Sequence, residues 1–268
     1  MCRLKCYTFI LLIYMQIHIL HLGFLRARAV EMIKPLIESD IGRKYEVDAE
    51  GYIKLSLNGL LLIEGDHIVV IDPGCADFLP SRIMNEYGLE VPESIETILQ
   101  QKGVSPHQVT DVIFTHLHFD HGSGAFMRQP GKIVKRFANA RYHVLKAHYE
   151  YALKPHPSES NSFFAGFFKY LDKIHWLEDW KEEWLSYKVF NGHTRGMVVP
   201  VIQSENEEVI YLTDLVPMKV FLDKDLYSAY DLDPELALEE KEKYLNSIKT
   251  QTRFVLFHDP LTDSLYYP

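Results

Sequence analysis

Apolar and polar positions alternate over residues 15–22, with Ile17, Ile19 and His21 on one face and His18, Leu20 and Leu22 on the other, which predicts a first β-strand. Residues 52–57 alternate in the same way, with Ile53, Leu55 and Leu57 on one side. Two apolar runs, 60–63 and 68–71, flank Glu64-Gly65-Asp66-His67 and read as a hairpin that closes on a turn at Asp72-Pro73-Gly74. A helix is predicted over 92–101, with Ser94 as its cap and Gly103 as its stop. Residues 112–114 form a buried strand that runs directly into a His-rich loop. A short strand at 142–144 precedes a helix through Tyr151. Further strands are expected at 199–202, 209–213 and 254–257, and 234–248 is a charged helix whose apolar positions include Leu236, Leu238, Tyr244 and Leu245. Short strands interleaved with helices predict a mixed α/β (α+β) fold.

Two segments break the pattern. Residues 1–14 carry Arg3 and Lys5 before an apolar run, and Ala27-Arg28-Ala29 offers an A-x-A site, the outline of a signal peptide. Gln16, His18, His21, Arg26 and Arg28 interrupt that outline, so residues 1–14 are read as an extension and 15–268 as the folded domain. The protein is accordingly expected to be cytoplasmic, or exported under the signal-peptide reading. The same polar residues argue against stable membrane insertion. The second segment, 154–184, opens on the breaker cluster Lys154-Pro155-His156-Pro157-Ser158 and is dense in aromatics. Phe163, Phe164, Phe167, Phe168 and Leu171 fit one face of a helix, read either as ordinary core or as a lid or homodimer contact over an active-site mouth.

Composition narrows the function. The 268 residues are 47% hydrophobic, enough for a sizeable core, and carry a net charge of −9 without a basic stripe, which disfavours nucleic acid as a partner. Three cysteines, none in a C-x-x-C pair, make no disulfide framework. Histidine is the informative residue. Thr115-His116-Leu117-His118-Phe119-Asp120-His121 is an H-x-H-x-D-H motif directly after a strand, followed by Gly122 and Gly124, which let the chain bend closely. His116 and His118 can share one ion, and Asp120 and His121 can be handed to a second. Two metals need more donors than one loop holds. His193 between Gly192 and Gly196, Asp214 after residues 209–213, and His258 after residues 254–257 fit that need.

These four motifs in order, THLHFDH, NGHTRGM, LTDL and LFHDP, resemble the metallo-β-lactamase superfamily over about residues 15–268. The resemblance implies an αββα sandwich with the site at one edge between two sheets. It implies that His116, His118 and His193 hold one ion, that Asp120, His121 and His258 hold the other, that Asp214 bridges both, and that Asp72 orients a metal-binding histidine. The ligand set suits two divalent ions, Zn²⁺ first, with Mn²⁺, Fe²⁺ or Co²⁺ also accepted. The implied chemistry is hydrolysis by a metal-bridging hydroxide, with Asp120 passing a proton to the leaving group.

Spacings of 21 positions from His193 to Asp214 and 44 from Asp214 to His258 resemble lactonases and related organophosphate hydrolases, so a small-molecule lactone or ester is the expected substrate. Thioester or phosphotriester hydrolysis, and a mononuclear iron sulfur dioxygenase, are the alternatives. One departure stands out. Pro217 occupies a position that holds a tyrosine in one type of homoserine lactonase, leaving Tyr211, Tyr227 and Tyr230 as candidates for its role.

Overall fold

The computed structural model describes residues 14–35, 44–163, 165–249 and 251–267. Residues 1–13 of the expected extension, and Phe164 of the aromatic face, lie outside the described residues. Strand β1 (Gln16–Arg28) pairs antiparallel with β2 (Tyr52–Glu64), far beyond the predicted 15–22. The expected breaks vanish because residues 52–57 and 60–63 form one continuous strand. Its inner stretch is buried from Leu55 to Leu62, Ser56 and Asn58 included, because another layer covers it. The hairpin to β3 (His67–Ile71) turns at Gly65, whose φ of +54° suits a glycine.

Ala27, in the cleavage site considered above, is 4% exposed and paired to Ile53, so cutting there would strip β1 from its sheet. His18 and His21 are strand residues, as expected; His21 bonds Asn58 Oδ1 at 3.0 Å. Among the described residues no helix is long and apolar enough to cross a membrane.

Strands β4 (Asp111–Ile113), β7 (Arg141–Val144) and β8 (His175–Trp176) extend this sheet in parallel from β3, giving the order β1-β2-β3-β4-β7-β8. A second sheet has the order β13-β12-β11-β10-β9, built from β9 (Leu185–Phe190), β10 (Met197–Gln203), β11 (Glu208–Tyr211), β12 (Arg253–Val255) and β13 (Ser264–Tyr266). A separate hairpin joins β5 (Phe126–Gln129) to β6 (Lys132–Lys135).

The two large sheets share one apolar core. Backbone bonds cross directly between them: Ser56 N to His258 O and Asn58 N to Phe257 O, both at 3.1 Å, and Val198 N to Thr115 O at 3.0 Å. With helices outside, this is the αββα sandwich.

The helices are α1 (Ala29–Met32), α2 (Ser81–Glu86), α3 (Ile95–Gln101), α4 (Phe119–Gly122), α5 (Lys146–Ala152) and α6 (Pro234–Leu245). Ser94 caps α3 by accepting from Thr97 N, so Pro92 and Glu93 precede the helix rather than begin it. Asp233 caps α6 in the same way through Leu236 N, and α6 stops short of Ile248.

The aromatic segment is not the amphipathic α-helix its spacing suggested. Ala165–Tyr170 is a 3₁₀ helix, and Phe167 stacks on Phe126 at 5.5 Å. A 3₁₀ helix repeats every three residues, so the 3.6-residue face dissolves: Phe167 turns to the β5–β6 hairpin, Phe168 to Tyr149 and Phe163 to His118.

Candidate metal centre

Four strand ends from both sheets point at one place. Asp72 follows β3, His116 follows β4, Asp214 follows β11 and His258 follows β12. Two of these exits are bent sharply. Asp72 has φ +49° and Thr213 has φ +44°, conformations L-residues rarely adopt, and a β-branched residue least of all. Asp72 is held there because Thr115 donates to it twice, from N at 2.9 Å and from Oγ1 at 2.6 Å. His193 arrives on the turn between β9 and β10.

Close packing fixes the two loops between these strands. A Cβ on Gly124 would lie 2.2 Å from Pro73 O, and one on Gly192 would lie 2.4 Å from the backbone of Ala237 in α6. Both positions therefore require glycine for close approach, of loop to loop in the first case and of loop to helix in the second.

The geometry brings all seven expected donors together, every one but Asp120 under 10% exposed. They form two groups: His116, His118, His193 and Asp214; and Asp120, His121 and His258. Asp214 reaches into both. Its Oδ2 lies 3.1 Å from His193 Nε2, 3.2 Å from His121 Nε2 and 3.6 Å from His116 Nε2, while Oδ1 lies 3.6 Å from His258 Nε2. His258 Nε2 is 3.3 Å from Asp120 Oδ2, and His193 Nε2 is 3.3 Å from His118 Nδ1. Four donors set tetrahedrally at about 2.0–2.1 Å from one ion stand about 3.3 Å apart, which these separations match. His116 Nε2, His121 Nε2 and Asp214 Oδ1 are buried without a hydrogen-bond partner among the described residues, an arrangement that suits divalent metal ions.

The outward ring nitrogens are anchored. His121 Nδ1 donates to Asp72 Oδ2 at 2.9 Å, the place the sequence assigned to Asp72. His193 Nδ1 donates to Asp231 Oδ1 at 3.0 Å and His258 Nδ1 to Ser56 O at 2.9 Å. Burial opposes charge on His193, but Asp214 and Asp231 outweigh it and raise its pKa to about 10. His121 is pushed well up by Asp214, Asp120 and Asp72 against its burial. Burial, reinforced by His121 and His118, drives His116 well down. Asp214 is held far below the usual carboxylate range, since His121, His258 and His193 outweigh burial. Metal binding at such donors displaces protons.

The centre opens into a cleft. Its walls are largely apolar, with Leu25, Leu55, Leu215, Phe221 and Leu226 among them. Tyr227 and Tyr230 line it, as does Tyr87, which no motif singles out. Tyr211 is removed as a candidate: it is wholly buried, and its hydroxyl donates to Asn58 O at 3.0 Å. No motif in the sequence singles out Asp231 or Glu159 either. Another buried histidine beside the centre, His148, lies 6.3 Å from His116, but both its nitrogens bond backbone, at Leu117 N and Arg195 O.

A carboxylate spanning two His/Asp groups at the edge of a two-sheet sandwich defines a protein equipped to bind divalent metals. The family model described as the metallo-beta-lactamase superfamily matches residues 56–256, and the chain belongs to that superfamily. Solved structures align over most of both chains. One is described as a "probable metal-dependent hydrolase" from Staphylococcus aureus, at 22% identity and TM-score 0.84, covering 94% of this chain and 92% of that one. AidC, a dizinc quorum-quenching lactonase in complex with a product, aligns at 23% identity and TM-score 0.76, covering 94% and 90%. The hydrolase AbOPH aligns at 22% and 0.72, covering 95% and 94%. These likenesses are of fold. No curated protein gives a significant match.

Proposed function

We propose that residues 15–268 form a hydrolase domain that binds two divalent ions, zinc first, and opens a lactone or cleaves an ester of a small molecule. The observation that carries this reading is Asp214, which spans both donor groups and leaves Oδ1 without a hydrogen-bond partner among buried imidazole nitrogens. One group would consist of His116, His118 and His193, the other of Asp120, His121 and His258, with Asp214 common to both. Ions bound there supply Lewis acidity and a water of lowered pKa.

The protein's own residues do the rest. The apolar cleft holds the substrate's carbon frame and excludes bulk water. Asp120 is kept ionised by His121 and His258 against burial, so it accepts a proton and can return it to the departing oxygen. Tyr227 and Tyr230, both in the cleft wall, are the phenols placed to replace a tyrosine at Pro217 as donor. A dizinc lactonase among the neighbours supports the choice of metal and bond.

Loading the purified protein with zinc or manganese and measuring metal content should give two ions per chain. Lactones or p-nitrophenyl esters should then turn over faster than thioesters or phosphotriesters. One iron per chain, or no turnover across that panel, would overturn the proposal.

A further inference from the structure

Glu159 was not among the expected functional residues, yet it is 5% exposed and directed at the centre from the aromatic segment. Its Oε2 lies 3.6 Å from His118 Nε2, and neither atom has a hydrogen-bond partner among the described residues. Its other oxygen accepts from Tyr151 OH. The loop that carries it is fixed to the metal-site loop: Glu159 O accepts from Ser162 N at 2.9 Å, Ser162 O accepts from Phe119 N at 2.9 Å, and Phe163 forms a β-bridge with His118 itself. The Phe163 ring stands against the His118 imidazole at 4.7 Å.

Resting on the two-ion reading above, we infer that Glu159 is a positioning residue for the metal centre. Its carboxylate faces the Nε2–H of His118 at 3.6 Å and favours that tautomer electrostatically. The Nδ1 lone pair then faces inward, where it lies 3.3 Å from His193 Nε2. His118 is the exception among the five histidines. The Nε2 atoms of His116, His121, His193 and His258 all lie within 3.6 Å of Asp214. A ring turned the other way needs its outward partner on the opposite nitrogen, and Glu159 is the group placed there. Burying a carboxylate oxygen without a donor is costly, so the contact stabilises both sides. It is a looser counterpart, at 3.6 Å, of the pairing of His121 with Asp72 at 2.9 Å and of His193 with Asp231 at 3.0 Å, where a carboxylate sets the ring and raises its basicity.

The test is chelator competition on the metal-loaded protein, followed by metal release rather than turnover. Wild type should lose its two ions in two resolved steps. E159Q, close in shape but uncharged, should weaken one step by about 10–100-fold and leave the other in place. Y151F, which frees Glu159 to rotate, should shift the same step by less, and it carries the test should E159Q not fold. Both steps unchanged in E159Q and Y151F would overturn the inference. Both steps moving together, with a lower melting temperature of the chelated protein, would also overturn it, since that marks general loosening. A wild type that binds no metal would overturn the proposed function, and this inference with it. Two ions in wild type with unaltered variants would remove only the role of Glu159.

Discussion

Replacing Asp214 with asparagine is expected to lower turnover by at least about 10³-fold and to reduce bound metal below two ions per chain. The side chain keeps its shape, so the loss comes from charge and donor character alone. Its two oxygens lie 3.1–3.6 Å from four imidazole nitrogens drawn from both groups. An amide removes the negative charge those rings surround and turns N–H donors toward Nε2 atoms that must present lone pairs to a metal. An ion's stabilisation of transition-state charge is worth several kcal/mol, and each ~1.4 kcal/mol is about tenfold in rate. Metal analysis alongside kcat separates this from misfolding. An Asp214→Asn protein that keeps two ions and remains within about tenfold of wild-type kcat would remove the bridging role.

Asp214 was legible in the sequence because its surroundings were. A β-strand of apolar residues must end somewhere, and a polar residue at that end has no reason to be buried unless something binds it. The same reasoning located His116 after β4 and His258 after β12, and in the fold both stand at strand ends around one point. Apolar runs too short for helices, interleaved with amphipathic segments, carried the mixed α/β class, while the αββα layering was implied only by the resemblance of the four motifs. What spacing could not reveal was contact between distant loops. Glu159 and Asp231 reach the imidazoles from loops separated by 41 and 38 residues from the histidines they face. Nothing in Ser158-Glu159-Ser160 distinguishes it from a solvated turn. Periodicity also misread residues 163–171, since Phe167 answers to the β5–β6 hairpin and to Phe78, on which it packs edge-on at 5.6 Å, while Phe163 answers to His118 and Phe168 to Tyr149.

The opposite end of the same sheet carries a second buried network, and substituting its centre should cost stability without touching chemistry. Asp111 is wholly buried at the start of β4, while the metal-site loop leaves the far end of that strand. Its Oδ1 accepts from His143 Nε2 at 2.7 Å and Arg141 Nε at 2.8 Å; its Oδ2 accepts from Thr110 Oγ1 at 2.8 Å and Arg141 Nη2 at 3.1 Å. His143 in turn packs edge-on against Trp180 at 5.1 Å, so the carboxylate holds the β4–β7–β8 edge together. Asp111→Ala strands a buried histidine and half-frees an arginine, which costs about 3 kcal/mol. For a chain of this size that lowers Tm by roughly 6–12 °C at neutral pH.

The sign of its pH dependence follows from the folded carboxyl. Burial would raise its pKa, but His143, Arg141 and Thr110 outweigh burial and hold it far below the usual carboxylate range. A depressed folded pKa contributes stability above the unfolded value of about 4 and loses it as pH falls further. The Tm difference between wild type and Asp111→Ala should therefore be full at neutral pH and narrow progressively below about pH 4. Metal content and kcat of the folded variant should match wild type. A difference that widens on acidification, or a variant that melts with wild type at neutral pH, would show that the network does not hold this edge of the sheet.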